Sequence, residues 1–179
     1  MNIQKQFHQA IENNDIKNVK LLLNHPRVNP ADEYNWAIRY ASIEGHYDIV
    51  KLLLNDNKVD PADLNNSAIR YASIKGHTDI VKLLLNDHRV YPADLNNWAI
   101  RYTSIEGHTD IIKLLLNDHR VNPTDYNNFA IIEASSAGHY DIINLLWQDQ
   151  RVKNTLENDN EKLYNKLIKK DIKEKIGFF

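Results

Sequence analysis

Gly45, Gly76, Gly107 and Gly138 stand 31 residues apart, and Pro30, Pro61, Pro92 and Pro123 keep the same step. Around the glycines one pattern returns: an Ala-Ile pair, a small-residue stretch, then Ser-x-x-Gly-His-x-Asp-Ile. A fixed period of this size specifies stacked supersecondary units, each burying its apolar face against its neighbours. Such stacks present broad surfaces and seldom enclose catalytic pockets.

The unit from Asn35 to Asn65 shows what one period builds. In Trp36-Ala37-Ile38-Arg39-Tyr40-Ala41-Ser42-Ile43, the small residues Ala37, Ala41 and Ser42 lie near Ile38 at helical spacing, which predicts a short helix. Asn35 is expected to cap its start, and Gly45 to end it by taking positive φ. In the next segment Ile49, Val50, Leu53 and Leu54 share one face, predicting a second helix with Asp48 at its positive end. Proline keeps Lys58-Val59-Asp60-Pro61-Ala62-Asp63 out of helix. The unit is therefore helix, tight turn, helix, loop. Neither helix is long enough to stand alone. Burial of each Leu or Ile contributes roughly 1.5–3 kcal/mol, so the interfaces between units dominate stability.

The ends depart from the middle. One period before Gly45 lies Asn14, and asparagine tolerates positive φ better than most residues. Lys17 and Asn18 replace the Asp-Ile of later copies, as a polar terminal unit requires. The expected organisation is an array over 1–155: an N-terminal cap unit at about 1–30, then repeats at about 31–61, 62–92, 93–123 and 124–154. After Val152 the pattern fades. Asp159 to Lys175 reads as a charged helix with Leu163, Leu167, Ile168 and Ile172 as its apolar stripe, making 156–179 a C-terminal helical cap.

Composition narrows the classes. Net charge is −2 with 26% charged residues, a balance that gives no long-range field toward nucleic acid or an anionic membrane. There is no cysteine, the first six residues carry no apolar signal core, and runs such as Leu21-Leu22-Leu23 are too short to span a bilayer. The expectation is an intracellular, cytoplasmic chain that binds neither nucleic acid nor membrane.

The segment from Ala41 to Leu54 contains Gly45-His46 followed by Ile49-Val50-Lys51-Leu52-Leu53-Leu54. It recurs at Ala72 to Leu85, and with small changes at Thr103 to Leu116 and Ala134 to Trp147. It resembles the ankyrin repeat: an Ala-rich helix, Gly-His, then a Val/Ile-Val-x-x-Leu-Leu helix. The resemblance covers about residues 1–155 and implies an all-α fold, an α-solenoid of stacked helix-turn-helix repeats with short connecting loops. The period is shorter than the family's usual ~33 residues, so the family's projecting hairpins are expected to shrink to tight turns. The family's Thr-Pro-Leu-His start appears here as Trp36-Ala37-Ile38-Arg39 and its copies, with His8 alone keeping the histidine. The short period and the Val-x-Pro-Ala-Asp loop are similar to ankyrin proteins of large DNA viruses, which would place the chain in host cytoplasm.

Several ladders invite functional readings. His46, His77, His108 and His139 suggest a metal. Equivalent positions in stacked helices sit roughly 10 Å apart, too far for one ion, and a bond to turn backbone is the favoured role. Arg39, Arg70 and Arg101 occupy the slot of the family's structural histidine and are expected to bond carbonyls of adjacent loops. Asp63, Asp94 and Asp125 supply one carboxylate per unit, a poor calcium site and a natural local cap. Asp87-His88-Arg89 and Asp118-His119-Arg120 lie in loops after the second helix, away from any catalytic constellation. No phosphate loop, His-Glu-x-x-His or cysteine nucleophile occurs. No catalytic residue, metal or cofactor is expected.

The first helix of each unit has a second face: Trp36, Tyr40, Ile43 and Glu44, then Tyr71, Ile74 and Lys75 beside Ser67, then Trp98, Tyr102, Ile105 and Glu106, then Phe129. Its residue types change between copies while the core does not, and exposed aromatic patches mark interaction sites. By resemblance this face would line a concave groove. The preceding tips, with Tyr34, Leu64, Leu95 and Tyr126, would join it in binding a protein partner. Alternatives are a self-assembling structural protein, or a viral adaptor for host degradation machinery, for which 156–179 is too short to hold the extra domain. A monomer is expected, with weak homo-oligomerisation as the self-assembly variant.

Overall fold

A computed structural model describes the backbone of residues 2–176 and the side chains of residues 2–169. Among the described residues there is no strand. The helices are α1 (Ile3–Glu12), α2 (Ile16–Leu23), α3 (Asp32–Ile43), α4 (Tyr47–Leu54), α5 (Asp63–Ile74), α6 (Thr78–Leu85), α7 (Asp94–Glu106), α8 (Thr109–Leu116), α9 (Asp125–Ala137), α10 (Tyr140–Gln148), α11 (Gln150–Asp159) and α12 (Glu161–Ile176). The chain gathers into two compact units, Met1–Leu95 and Asn96–Phe179.

In the first unit, α1/α2, α3/α4 and α5/α6 are successive hairpins, with α3 packed on α1 and α5 on α3. Its core is Phe7, Ile11 and Val19, then Ile38, Ile49, Val50 and Leu53, then Ile69, Ile80, Val81 and Leu84, all buried. Of the face read from periodicity, Ile49, Val50 and Leu53 are buried and Leu54 is half-buried. In the second unit Ile100, Ile111, Ile112, Leu115, Ile131, Ile142, Ile143 and Leu146 repeat the arrangement. Helices of 8 residues, such as α4, α6 and α8, are too short to persist alone, so these interfaces hold them.

Each hairpin turns at the glycine expected to do so. Gly45, Gly76, Gly107 and Gly138 have φ of 78–82°, and Asn14 fills the same slot at φ 52°. The next histidine amide closes the turn, as in His46 N–H to Ala41 O at 2.8 Å. Glycine has a further reason here. A Cβ on Gly45 would lie 2.7 Å from His77 Cε1, and one on Gly107 would lie 2.7 Å from His139 Cε1. Those rings cannot swing away cheaply. His77 Nε2 donates to Ile43 O at 2.9 Å, and His139 Nε2 donates to Ile105 O at 2.7 Å. The histidine bonds backbone as expected, but in the preceding repeat.

The loops after the second helices hold another tie. Arg89 pairs with Asp87 at 2.5 Å and reaches back to Val59 O at 2.8 Å and Leu54 O at 3.0 Å. Arg151 likewise pairs with Asp149 and donates to Val121 O at 2.9 Å. The loops at Asp87–Arg89 and Asp149–Arg151 are inter-repeat clamps. Hydrogen bonds from Arg89, Arg120 and Arg151 hold the Asp87, Asp118 and Asp149 carboxyls below their ordinary pKa.

Past Val152 the chain is more regular than its sequence indicates. The helix α11, absent from the sequence reading, packs on α9, α10 and α12 with Val152 and Leu156 buried. The Asn160 side chain caps α12 by accepting from Leu163 N–H at 3.0 Å. Leu163 and Leu167 are buried and Ile168 is half-buried. The side chain of Ile172 lies outside the described residues.

Two predictions follow from these ties. Gly138→Ala meets open space and should lose only the left-handed penalty, about 1 kcal/mol. Gly107→Ala must also displace a hydrogen-bonded ring and should lose clearly more, as read from urea midpoints. Asp87→Ala should destabilise by about 1–2 kcal/mol at pH 7. The folded pKa of Asp87 is depressed, so its contribution is complete above the unfolded value near ~3.9. It vanishes as pH falls through the folded value. The stability gap between wild type and variant should therefore begin to close below about pH 4 and go on closing as pH falls further.

Candidate functional site: left-handed turns and the first-helix face

The first turns of α3, α5, α7 and α9 each hold three consecutive non-glycine residues in left-handed conformation, ahead of the right-handed part of the helix. They are Glu33-Tyr34-Asn35, Leu64-Asn65-Asn66, Leu95-Asn96-Asn97 and Tyr126-Asn127-Asn128, with φ of 51–59° throughout. Each triplet is one turn of left-handed helix, closed by bonds such as Asn66 N–H to Ala62 O at 2.7 Å. Left-handed geometry costs about 1–2 kcal/mol for each ordinary residue, somewhat less for asparagine. Something must hold the turn in place.

The third asparagine does so. Asn35 is buried. Its Oδ1 accepts from Asp60 N–H at 2.7 Å, in the loop after α4, and its Nδ2 donates to Asp63 Oδ2 at 2.8 Å, at the start of α5 in the next repeat. Asn66 binds Tyr91 N–H at 2.7 Å and Asp94 at 2.6 Å. Asn97 binds Asn122 N–H at 2.8 Å and Asp125 at 2.7 Å. In the first repeat Gln4 stands one period before Asn35 and brackets Asn29, accepting from its N–H at 2.9 Å and donating to its O at 3.0 Å. In the last, Asn128 Nδ2 donates to Thr155 Oγ1 at 2.7 Å and Asp159 Oδ2 at 2.5 Å, while its buried Oδ1 has no partner.

This corrects the capping role expected of Asn35: the α3 start has no side-chain cap, and the asparagine amide is directed to the next repeat. The arginine ladder is corrected too. Arg39 Nε donates to Tyr34 O at 2.8 Å and its Nη2 to Glu33 O at 3.1 Å. Arg70 and Arg101 do the same to Asn65 O and Asn96 O. These forks bind the carbonyls of their own turn. The aspartates join this latch, with Asp63 Oδ1 also accepting from Leu64 N–H at 2.7 Å. Among the described residues no group of three or more His, Cys, Asp or Glu side chains is arranged to hold a metal ion.

The turns lift their first two residues into solvent. Tyr34 is 72% exposed and Tyr126 63%, and Leu64 and Leu95 are exposed as well. Behind them the first-helix face is half-covered. Trp36 stacks on Tyr40 at 4.7 Å between ring centroids and lies 4.5 Å from His8 of the first repeat. Tyr71 is exposed, with Arg70 Cζ 5.4 Å from its ring, and Ser67 is buried where other repeats carry an aromatic ring. In the second unit Trp98 lies 4.4 Å from Tyr102, which lies 5.9 Å from Phe129. Arg101 Cζ sits 4.4 Å from the Tyr126 ring centroid. Ile43, Ile74 and Ile105 are half-buried; Glu44, Lys75 and Glu106 are exposed. The aromatic rings thus both cover neighbouring repeats and leave surface open.

Stacked helical hairpins tied repeat to repeat define a helical repeat protein. The family model for ankyrin repeats (3 copies) matches residues 7–97 and 71–158. The chain belongs to the ankyrin-repeat family. A search of curated proteins finds no match. Ankyrin repeats are generally non-catalytic protein–protein interaction modules. No helix among the described residues is long and apolar enough to cross a membrane.

The asparagine latch is the functional element that sequence reasoning missed. Its signal was present: Asn35, Asn66, Asn97 and Asn128 keep the period, as do Asp63, Asp94 and Asp125. Asn97→Ala should destabilise by about 2–4 kcal/mol, because it strands the Asn122 amide and takes one of its donors from the Asp125 carboxylate. Asn96→Ala, at an exposed position in the same turn, should lose about 1 kcal/mol or less. Chemical denaturation of both variants measures the contrast.

Proposed function

We propose that this chain is a non-catalytic binding module that grips a protein partner through its first-helix faces and left-handed turn tips. In this reading residues 1–155 form the binding array, the expected concave groove is the contact surface, and 156–179 is a helical cap. The supporting observation is the placement of apolar residues. Tyr34, Leu64, Leu95 and Tyr126 stand exposed on turns whose backbone geometry is strained. Exposure there adds little to folding, and strained, well-buttressed segments cluster where proteins make contacts. The half-open aromatic clusters at Trp36–Tyr40 and Trp98–Tyr102 supply flat apolar area of the kind that carries binding energy. Exposed Glu44, Lys75 and Glu106 alternate in sign beside them and supply specificity.

The test is capture of partners from the native cell with the wild type and with Tyr34→Ser/Tyr126→Ser. These tyrosines are largely solvated, so the double variant should keep the wild-type circular dichroism and melting point. Partner recovery should fall at least about tenfold, the loss expected when interface aromatic residues worth more than 1 kcal/mol each are removed. Undiminished recovery by the folded variant would count against the tips. Trp36→Ala/Trp98→Ala then asks the same of the helix faces.

A further inference from the structure

We propose that each left-handed turn is a conditional element, held in shape by the docking of the repeat that follows it and released when that repeat undocks. The inference is independent of whether the tips bind a partner. Within the turn, backbone closure rests on bonds such as Asn35 N–H to Ala31 O at 3.1 Å, and on the Arg39 fork. Three successive non-glycine residues in the left-handed region oppose that closure. The decisive tie is the buried Asn35 side chain, which joins Asp60 N–H, in the loop leading out of its own repeat, to Asp63 Oδ2, at the start of the next repeat's first helix. Without them a buried amide loses both bonds, and the turn gains by relaxing to ordinary backbone.

The dependence has a direction. The turn at 33–35 relies on Asp60 and Asp63, and that at 64–66 on Tyr91 and Asp94. The turn ending at Asn97 relies on Asn122 and Asp125. Local order therefore passes from each repeat to the one before it. The last turn, 126–128, relies on Thr155 and Asp159 of α11 and leaves Asn128 Oδ1 without a partner. It is the most easily released. Opening there loosens Tyr126 on its own, without unfolding the right-handed part of α9 that follows Asn128.

The experiment is amide hydrogen exchange by NMR on the full chain carrying Asp63→Ala. Losing the charged acceptor should speed exchange at the Asn35 amide at least about tenfold. The Glu44 amide, bonded to Tyr40 O at 3.0 Å at the far end of the same helix, should keep its protection. An unchanged Asn35 amide would overturn the proposal, and so would equal losses at Asn35 and Glu44, which mean general destabilisation. Should Asp63→Ala fail to fold, Asp159→Ala, at an exposed position, gives the same comparison. There the Asn128 amide, bonded to Thr124 O at 2.8 Å, is the reporter. The His139 amide, bonded to Ala134 O at 2.9 Å, is the reference. The same two outcomes decide it.

Discussion

A carboxamide buried between one repeat and the next is the interaction on which the rest of this protein depends. Asn35, Asn66 and Asn97 each accept a backbone N–H and donate to a carboxylate across the repeat boundary. The apolar cores would pack with some latitude without them, since hydrophobic burial is non-directional. The amide has fixed donor and acceptor sides and permits one register. It also holds a backbone turn that few sequences would adopt unaided, and that turn sets where Tyr34, Leu64, Leu95 and Tyr126 stand. Packing supplies the energy of the stack and the latch supplies its geometry.

Two other ties reinforce the register from different points. Two of the histidines beside the glycines reach the preceding first helix, His77 at Ile43 O and His139 at Ile105 O. The arginine of the Asp-x-Arg loop reaches the preceding second helix and loop, as Arg89 does with Leu54 O and Val59 O. Each tie pairs a side chain with a backbone carbonyl, so it tolerates change in the partner's side chain. That is why the exposed residues of the first helices vary between copies while the framework persists.

Much of this was legible in the sequence, and the remainder was hidden for a physical reason. Period, apolar spacing and the Gly-His corner identified the helices, the core and the turns, because burial and positive φ each select a residue type strongly. Asn14 was legible by the same rule. The roles of Asn35 and Arg39 were not, because a polar side chain beside a helix start has several local partners available to it. Sequence spacing cannot tell a cap on one's own helix from a bond into a neighbouring repeat. For Arg39 the guess was the neighbour and the partner proved local; for Asn35 the error ran the other way. The helix α11 was missed because it breaks the period that served as the guide.

The ties share one arithmetic property. They join residues 25, 28, 30, 34 and 35 positions apart, the shortest spanning one copy to its closing loop and the others crossing into the adjoining copy. Deleting or duplicating one whole 31-residue period within either compact unit would hand every donor an equivalent acceptor. Array length is therefore a free variable for this sequence, open to unequal recombination or to deliberate extension, with new bonds forming by rule.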